Sequence, residues 1–388
     1  MTEKEFDIVV YGATGFTGRL VAEYLTLRGF KGWAMAGRSE TKLQEIRDEV
    51  GVSKDIPLIV ADASNPDSLT ALCKKAKIVL TTVGPYQLYG SELVAVCANT
   101  GTDYLDLNGE PAWARQMIDE HEAAAKKSGA RIVLSAGFDS VPSDLGVWFL
   151  QQEAVKKFGK PVPRVKGRVR EMRGGPSGGS MATMKATLKA SIKNPAVVGL
   201  LANAFALTPG FEGPSQPSGL IPEFDKEFNV WAAPFVMAGV NTKNVHRTNF
   251  LLNHPYGKDF VYDEMMLTTL GEAASALVDA AAKANPFVGK GLKPGDGPTK
   301  EERENGMYDF TFTGEYPDGE RIRVSVKGDR DPGYGSTSKI ISEAALTLLE
   351  IKSPGGMYTP GGLMAAPLQE RLQKYAGVSF AVEPCAQR

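Results

Sequence analysis

The sequence predicts an α/β fold: a doubly wound parallel sheet followed by a second, α+β unit. Three observations carry this prediction. Six short apolar runs alternate with segments of helical period over the first 150 residues, a glycine-spaced turn follows the first run, and the texture changes after Leu150. Near-continuous apolar strands mark a parallel sheet covered on both faces. Alternating with helices, six of them supply the two halves of an open, doubly wound sheet.

The first run, IVVYG at 8–12, leads into a helical segment at 16–29. WAMAG at 33–37 and LIVAD at 58–62 flank a helix near 40–50, and IVLTTVG at 78–84 follows one at 66–75. YLDL at 104–107 and RIVLSAG at 131–137 complete the set, with helices near 91–100 and 111–128. Beyond Leu150, basic strand-like residues from Val165 run into the glycine-rich stretch Arg173 to Ser180, and 208–222 is rich in proline and glycine. Strands are read at 260–269 and 308–327, the latter split by the turn Pro317-Asp318-Gly319, with an apolar helix near 272–285. A last helix, near 336–350, is expected to pack back on the first unit. The domain reading is therefore 1–150 for the parallel sheet, 151–335 for the α+β substrate and catalytic unit, and 336–388 for C-terminal helices. A length of 388 residues accords with more than one core.

The turn after the first run is Gly12-Ala13-Thr14-Gly15-Phe16-Thr17-Gly18. Its three glycines do different things. Gly12 permits the tight turn, Gly15 lets backbone N–H groups approach a diphosphate, and Gly18 lets helix pack closely on strand. The helix N-terminus adds partial positive charge. A glycine spacing alone is weak, but its place between strand and helix inside a β-α repeat makes it a Rossmann dinucleotide motif. The second strand ends in Gly37-Arg38-Ser39 where an NAD site carries an acidic residue. A guanidinium grips a 2′-phosphate by paired hydrogen bonds, and Lys42 adds charge one turn on, so NADP(H) is the expected cofactor. Asp62, at the end of the third strand, either accepts from the adenine amino group or caps a helix. Val83, Gly84 and Pro85 end the fourth strand, where Gly84 allows close approach to the nicotinamide half.

A formal net charge of −1, from 44 basic and 45 acidic residues, gives no footprint for nucleic acid. Three scattered cysteines suit a reducing, cytoplasmic setting, and the three histidines lack metal-ligand spacing, so no metal site is expected. The amino terminus MTEKEFD reads straight into a strand with no signal peptide. The longest uncharged run, 194–211, is interrupted by Pro195 and Pro209 and falls short of a spanning helix.

Taken together, YGATGFTGRLVAEYL, AGRSETKL, TTVGPYQLYG, DYLDLNGEPAW and AGFDSVPSDLG resemble the saccharopine dehydrogenase-like oxidoreductases, in particular the trans-acting enoyl reductase branch. GGPSGGSMATM, GDGPTKEERENGMY, GDRDPGYGSTSKIISEAAL and GGMYTPGGLMAAPLQERL extend the resemblance over nearly the whole chain. It implies a Rossmann domain followed by a saccharopine-reductase-like domain, NADP(H) use and, for that branch, reduction of a carbon–carbon double bond in long-chain lipid intermediates. It also implies membrane association, and a homodimer is allowed.

Such a reduction needs a hydride, a donor for the developing enolate oxygen and a proton for the neighbouring carbon. Tyr86, beside the nicotinamide edge, is the first candidate donor. Asn108 and Glu110 follow the fifth strand and Asp139 and Ser140 the sixth, so all reach the same rim, as catalytic or wall residues or as caps. Apolar residues at 197–207 and 231–240 either line a lipid pocket, touch a membrane or form ordinary core. Two alternatives remain: an amino-acid dehydrogenase of the saccharopine type, whose multiply charged substrate would call on Arg168, Arg170 and Arg173, and an NADP-binding scaffold without turnover.

Overall fold

A computed structural model of the chain describes residues 4–174, 178–268 and 297–385. Up to Val133 the chain delivers β1 (Phe6–Tyr11), α1 (Phe16–Leu27), β2 (Trp33–Gly37), α2 (Glu40–Glu49), β3 (Leu58–Val60), α3 (Pro66–Lys75), β4 (Ala76–Thr81), α4 (Tyr86–Tyr89), α5 (Ser91–Thr100), β5 (Asp103–Leu105), α6 (Pro111–Ser128) and β6 (Arg131–Val133). Then come α7 (Val141–Phe158), β7 (Arg164–Arg173), α8 (Gly178–Lys193), α9 (Pro195–Ala202), β8 (Glu223–Asp225), β9 (Val230–Pro234), α10 (Ala238–Leu251) and β10 (Val261–Leu267). The remainder holds α11 (Lys300–Glu304), β11 (Met307–Glu315), β12 (Arg321–Gly328), α12 (Thr337–Glu350), β13 (Gly356–Tyr358), α13 (Pro360–Arg371) and β14 (Val378–Glu383).

The first sheet has the strand order β13-β6-β5-β4-β1-β2-β3, and every pair in it is parallel. The order reverses between β1 and β4, so the loops leaving those two strands open a crevice at the carboxyl edge. Apolar residues explain its interior: Ile8, Val10, Met35, Ile78 and Leu80 are fully buried on one face, Val9, Ala34 and Val79 on the other. The second sheet runs β14-β12-β11-β7-β10-β9-β8 and is antiparallel except for the β7–β10 pair. Helix α7 leaves the first sheet and lies against the second so closely that a side chain at Gly146 would strike the Phe312 ring. One continuous apolar cluster therefore reaches from β1 through α7 to Phe310 and Val324 of the second sheet.

The C-terminal segment departs from the expectation of helices alone. Besides α12 and α13 it gives one strand to each sheet: β13 pairs with β6 through Gly356 to Tyr358, and β14 pairs with β12 through Val378 to Glu383. Strand β13 is three residues long, too short for an apolar run to announce it. Helix α12 lies on α1, where the fully buried Glu343 carboxylate accepts from Tyr24 Oη at 2.8 Å, Arg28 Nε at 2.7 Å and Arg371 Nε at 2.9 Å. The apolar helix read at 272–285 falls outside the described residues. Among the described residues, no helix is long and apolar enough to cross a membrane.

Candidate active site

The loop after β1 has the shape of a diphosphate cradle. Gly12 adopts φ +89°, and a Cβ there would meet Val83 Cγ2 at 2.7 Å and Thr82 Oγ1 at 2.9 Å, so the loops after β1 and β4 touch at this glycine. A Cβ at Gly18 would overlap the Gly12 carbonyl oxygen, which is the close helix-on-strand approach that a small residue permits. Gly15 is exposed at the N-cap of α1, with no side chain capping the helix, so its first amides face outward. Phe16 packs edge-on against Tyr334 at 5.1 Å and beneath the Arg303 guanidinium at 5.5 Å, so residues from beyond the second sheet stand over the start of α1.

At the end of β2, Arg38 and Lys42 are exposed, and Ser39 caps α2 by accepting from the Lys42 amide at 3.3 Å. Arg38 stands close enough to Asp62 and Tyr11 to act electrostatically on both: burial and Asp62 push the Tyr11 phenol up to about 12, and Arg38 pulls it back. Asp62 accepts from the Ser64 amide at 2.9 Å and hydroxyl at 2.7 Å, and these bonds hold its carboxyl below the usual range. It does not cap α3. Asn65 does so instead, accepting from the Ser68 amide at 3.1 Å.

The β4 loop carries Val83, the exposed Gly84, and Pro85, joined to Gly84 by a cis peptide. Tyr86 follows, but its hydroxyl is turned inward. It donates to the Thr81 carbonyl at 3.2 Å, accepts from the Leu107 amide at 3.0 Å, and burial drives its acidity far below that of a free phenol. With its one proton committed and its ring buried against Trp113 at 5.5 Å, Tyr86 is a strut between the β4 and β5 loops rather than a donor facing the cleft. Glu110 is likewise engaged: its two oxygens accept from the Tyr86 amide at 2.8 Å and the Gln87 amide at 2.9 Å. Asn108 donates to Asp106 at 2.7 Å and accepts from the Glu110 amide at 3.4 Å.

Asp106, which no motif in the sequence marks as a site residue, organises this rim. Its fully buried carboxylate also accepts from the Ser135 amide at 2.7 Å and Tyr104 Oη at 3.0 Å, and burial pushes the carboxyl up to about 6. Ser135 is thereby held at φ +59°, a conformation that only such a fixed partner sustains. Of the four side chains expected to do chemistry, Asp139 alone keeps a carboxyl with no hydrogen-bond partner among the described residues. It is half-buried in the turn between β6 and α7, and loss of water raises it from 3.8 to about 6. Around the backbone of Gly109 converge Asp139 Oδ2, Met237 Cε and Val240 Cγ2, so an ionisable group of the first sheet faces apolar side chains at the start of α10. Ser140, its neighbour, has a buried hydroxyl without a partner among the described residues.

The arginines of β7 are occupied. Arg168 is buried and bonded to Asp225 at 2.9 Å, Asp263 at 2.7 Å and Glu223 at 2.9 Å. Arg170 reaches Asp309 and Glu383, both at 2.7 Å, and the exposed Arg173 pairs with Glu171 at 3.2 Å. A second feature that sequence reasoning missed is a cleft of about 370 Å³ beside Glu110 and Gln87, bordered by α6, α8 and α9 and open to solvent on one side. Its walls come from segments far apart in the chain, so no local pattern could show it.

Residues 8–133 match the model of the saccharopine dehydrogenase NADP binding domain. The chain is 36% identical to the trans-acting enoyl reductase of Mycobacterium tuberculosis, over 95% of this chain and 96% of that one. It is 37% identical to the trans-acting enoyl reductase of Mycobacterium leprae over 97% of each. Among solved structures it is similar in fold to saccharopine dehydrogenase (L-Glu forming) from Saccharomyces cerevisiae, with a TM-score of 0.57 at 13% identity, covering 98% of this chain and 100% of that one. Homospermidine synthase from Legionella pneumophila gives 0.53 at 11% identity, covering 99% and 93%.

Proposed function

The chain belongs to the saccharopine dehydrogenase-like oxidoreductases, in the branch of the trans-acting enoyl reductases, and from that premise we propose that this NADP-dependent oxidoreductase reduces a carbonyl-activated carbon–carbon double bond in a long-chain lipid or other apolar intermediate. NADPH, when bound, supplies the hydride. Ala13, Thr14, Gly15, Phe16 and Thr17, between Gly12 and Gly18, hold the diphosphate, and Arg38 with Ser39 and Lys42 holds the 2′-phosphate. Asp62 borders the adenine, while Val83, Gly84 and Pro85 border the nicotinamide. Tyr86, Asn108 and Glu110 position that edge by fixing the β4 and β5 loops on one another. Asp139, which burial keeps protonated to a higher pH than a free carboxyl, gives its proton to the substrate as the hydride adds, and regains one from solvent.

The observation that carries this reading is the unpartnered Asp139 carboxyl facing Met237 and Val240 across Gly109. A carboxyl partly withdrawn from water beside apolar walls suits a neutral substrate and an acid role. The paired arginines of β7 weigh against a saccharopine-type substrate, because its carboxylates would have to displace carboxylates already bonded there. The test is steady-state oxidation of NADPH against a panel of α,β-unsaturated acyl thioesters, saccharopine and lipid extracts. Oxidation with the unsaturated thioesters is the expected result; turnover of saccharopine alone, or tight NADPH binding with no oxidation, would replace this reading with one of its rivals.

Contact with a lipid surface belongs to the same proposal. Along α8 each exposed apolar side chain is followed by a lysine: Met184-Lys185, Leu188-Lys189 and Ile192-Lys193, one turn apart. Leu188 and Ile192 are 62% and 77% exposed, so this face has no cover within the described residues. Leu220 and Ile221, also exposed, with Phe224 in the edge strand β8, offer a separate face for a second copy, to be tested by light scattering.

A further inference from the structure

We propose that the half-open cavity bordered by α6, α8 and α9 is the subsite for the apolar chain of the substrate, entered beside Glu110 and separate from the place where the double bond is reduced. This rests on the enoyl reductase reading given above. Three observations on the cavity carry it. First, its volume of about 370 Å³ is that of a small-molecule site. Its inner walls include Trp113, Val197, Leu200 and Leu201. The one indole N–H is already spent on Ser91 Oγ at 2.9 Å, so Trp113 presents only ring surface.

Second, the lining offers no free cation for an anionic group among the described residues. Arg115, at the outer rim, is committed to Asp119 and to the Ala206 carbonyl, each at 2.8 Å. The apolar inner walls fit a neutral hydrocarbon, while Asp119 and Glu120, also in the lining, disfavour a carboxylate or phosphate, which would lie there unpaired at high cost.

Third, the cavity shares its residues with the reaction rim. Gln87 and Glu110 line it, and they are also the residues that fix the β4 loop, while Trp113 stacks on Tyr86 beneath Gly84. The roof is pinned at two places: Gln87 Nε2 donates to Thr187 of α8 at 3.2 Å, and Lys243 Nζ donates to the Leu201 carbonyl of α9 at 2.9 Å. Lys243 belongs to α10, the helix whose first turn faces Asp139. A chain lodged in the cavity thus abuts elements that also border the reacting group.

The test uses Ala190→Phe, which narrows the cavity from its roof, with NADPH affinity as the check on folding. With butenoyl and hexadecenoyl thioesters as substrates, the variant should raise KM for the long chain at least about tenfold while kcat/KM for the short chain stays within about twofold, the signature of lost uniform binding. Equal effects on both substrates, or none, overturn the proposal. Should neither thioester be reduced, the enoyl reductase reading fails, and the subsite is judged by binding alone. Dibrominated palmitate should quench the emission of Trp113, assigned by difference from Trp113→Phe, and should do so in saturable fashion in the natural protein but not in Ala190→Phe. Absence of quenching, or quenching indifferent to Ala190→Phe, overturns the subsite whatever the reaction.

Discussion

Asp139 is a group whose electrostatics and chemistry pull in opposite directions. Its carboxyl is raised to about 6 by loss of water alone, so the folded state favours the protonated form. The associated stability is fully present below the unfolded value near 4 and is lost as pH rises through about 6. Asp139→Asn should therefore leave stability unchanged at acid pH and raise it by up to about 3 kcal/mol above pH 6, checked by denaturant titration across pH. The same change should lower kcat by about 10²–10⁴-fold, and turnover of the unaltered protein should decline as pH rises through about 6. Tyr86→Phe should behave otherwise: leaving the Leu107 amide and Thr81 carbonyl without a partner costs about 1–3 kcal/mol in a melt, with kcat little altered. Arg38→Glu should weaken NADPH binding by at least about 100-fold and reverse the preference toward NADH, read by fluorescence titration of both. At this scale the glycine turn and Arg38 are legible in the sequence because their chemistry lies within a few residues of a strand end. The inward turn of Tyr86 is not, since its partner Leu107 comes from another loop.

Elements of the first sheet other than β13 can be read to within a few residues, because strands buried on both faces are written as unbroken apolar runs between segments of helical period. Helix α10 shows the opposite case. Asn241, Lys243, Asn244, His246, Arg247, Thr248 and Asn249 suggest an exposed helix, yet all are buried. Several of their polar groups are bonded to distant segments, as where Arg247 donates to the Leu207 and Met357 carbonyls at 2.6 Å, and no local pattern encodes such partners. The apolar stretch at 197–207 divides: Phe205, Ala206 and Leu207 are core, whereas α9 has no fully buried residue. The alternation of apolar and lysine side chains along α8 leads to a prediction at this scale. Flotation with anionic vesicles should retain the protein at low salt and release part of it at high salt, and Leu188→Glu with Ile192→Glu should abolish binding. Retention that survives both changes would show that α8 is not the contact.

Across the whole molecule, the two sheets are joined by α7 and by the last fifty residues, and Glu343 is where the latter meets α1. Replacing it with alanine removes the carboxylate shared by Arg28, Arg371 and Tyr24, leaving Arg371 only Glu350 and Tyr24 only the Tyr375 carbonyl, at a cost of about 3 kcal/mol. Chemical denaturation should show that loss with NADPH affinity unchanged, since the glycine turn lies at the other end of α1. The overall architecture is legible from the β-α alternation and the change of texture after Leu150. The closing strands are not, being short and dictated by the edges they find. Because β13 and β14 follow every strand they complete, neither sheet can be finished until that stretch has left the ribosome. A nascent polypeptide would emerge with β6 and β12 as open borders, the kind of exposed backbone that chaperones shield. A product truncated before β13 should thus aggregate rather than accumulate as a half-made enzyme.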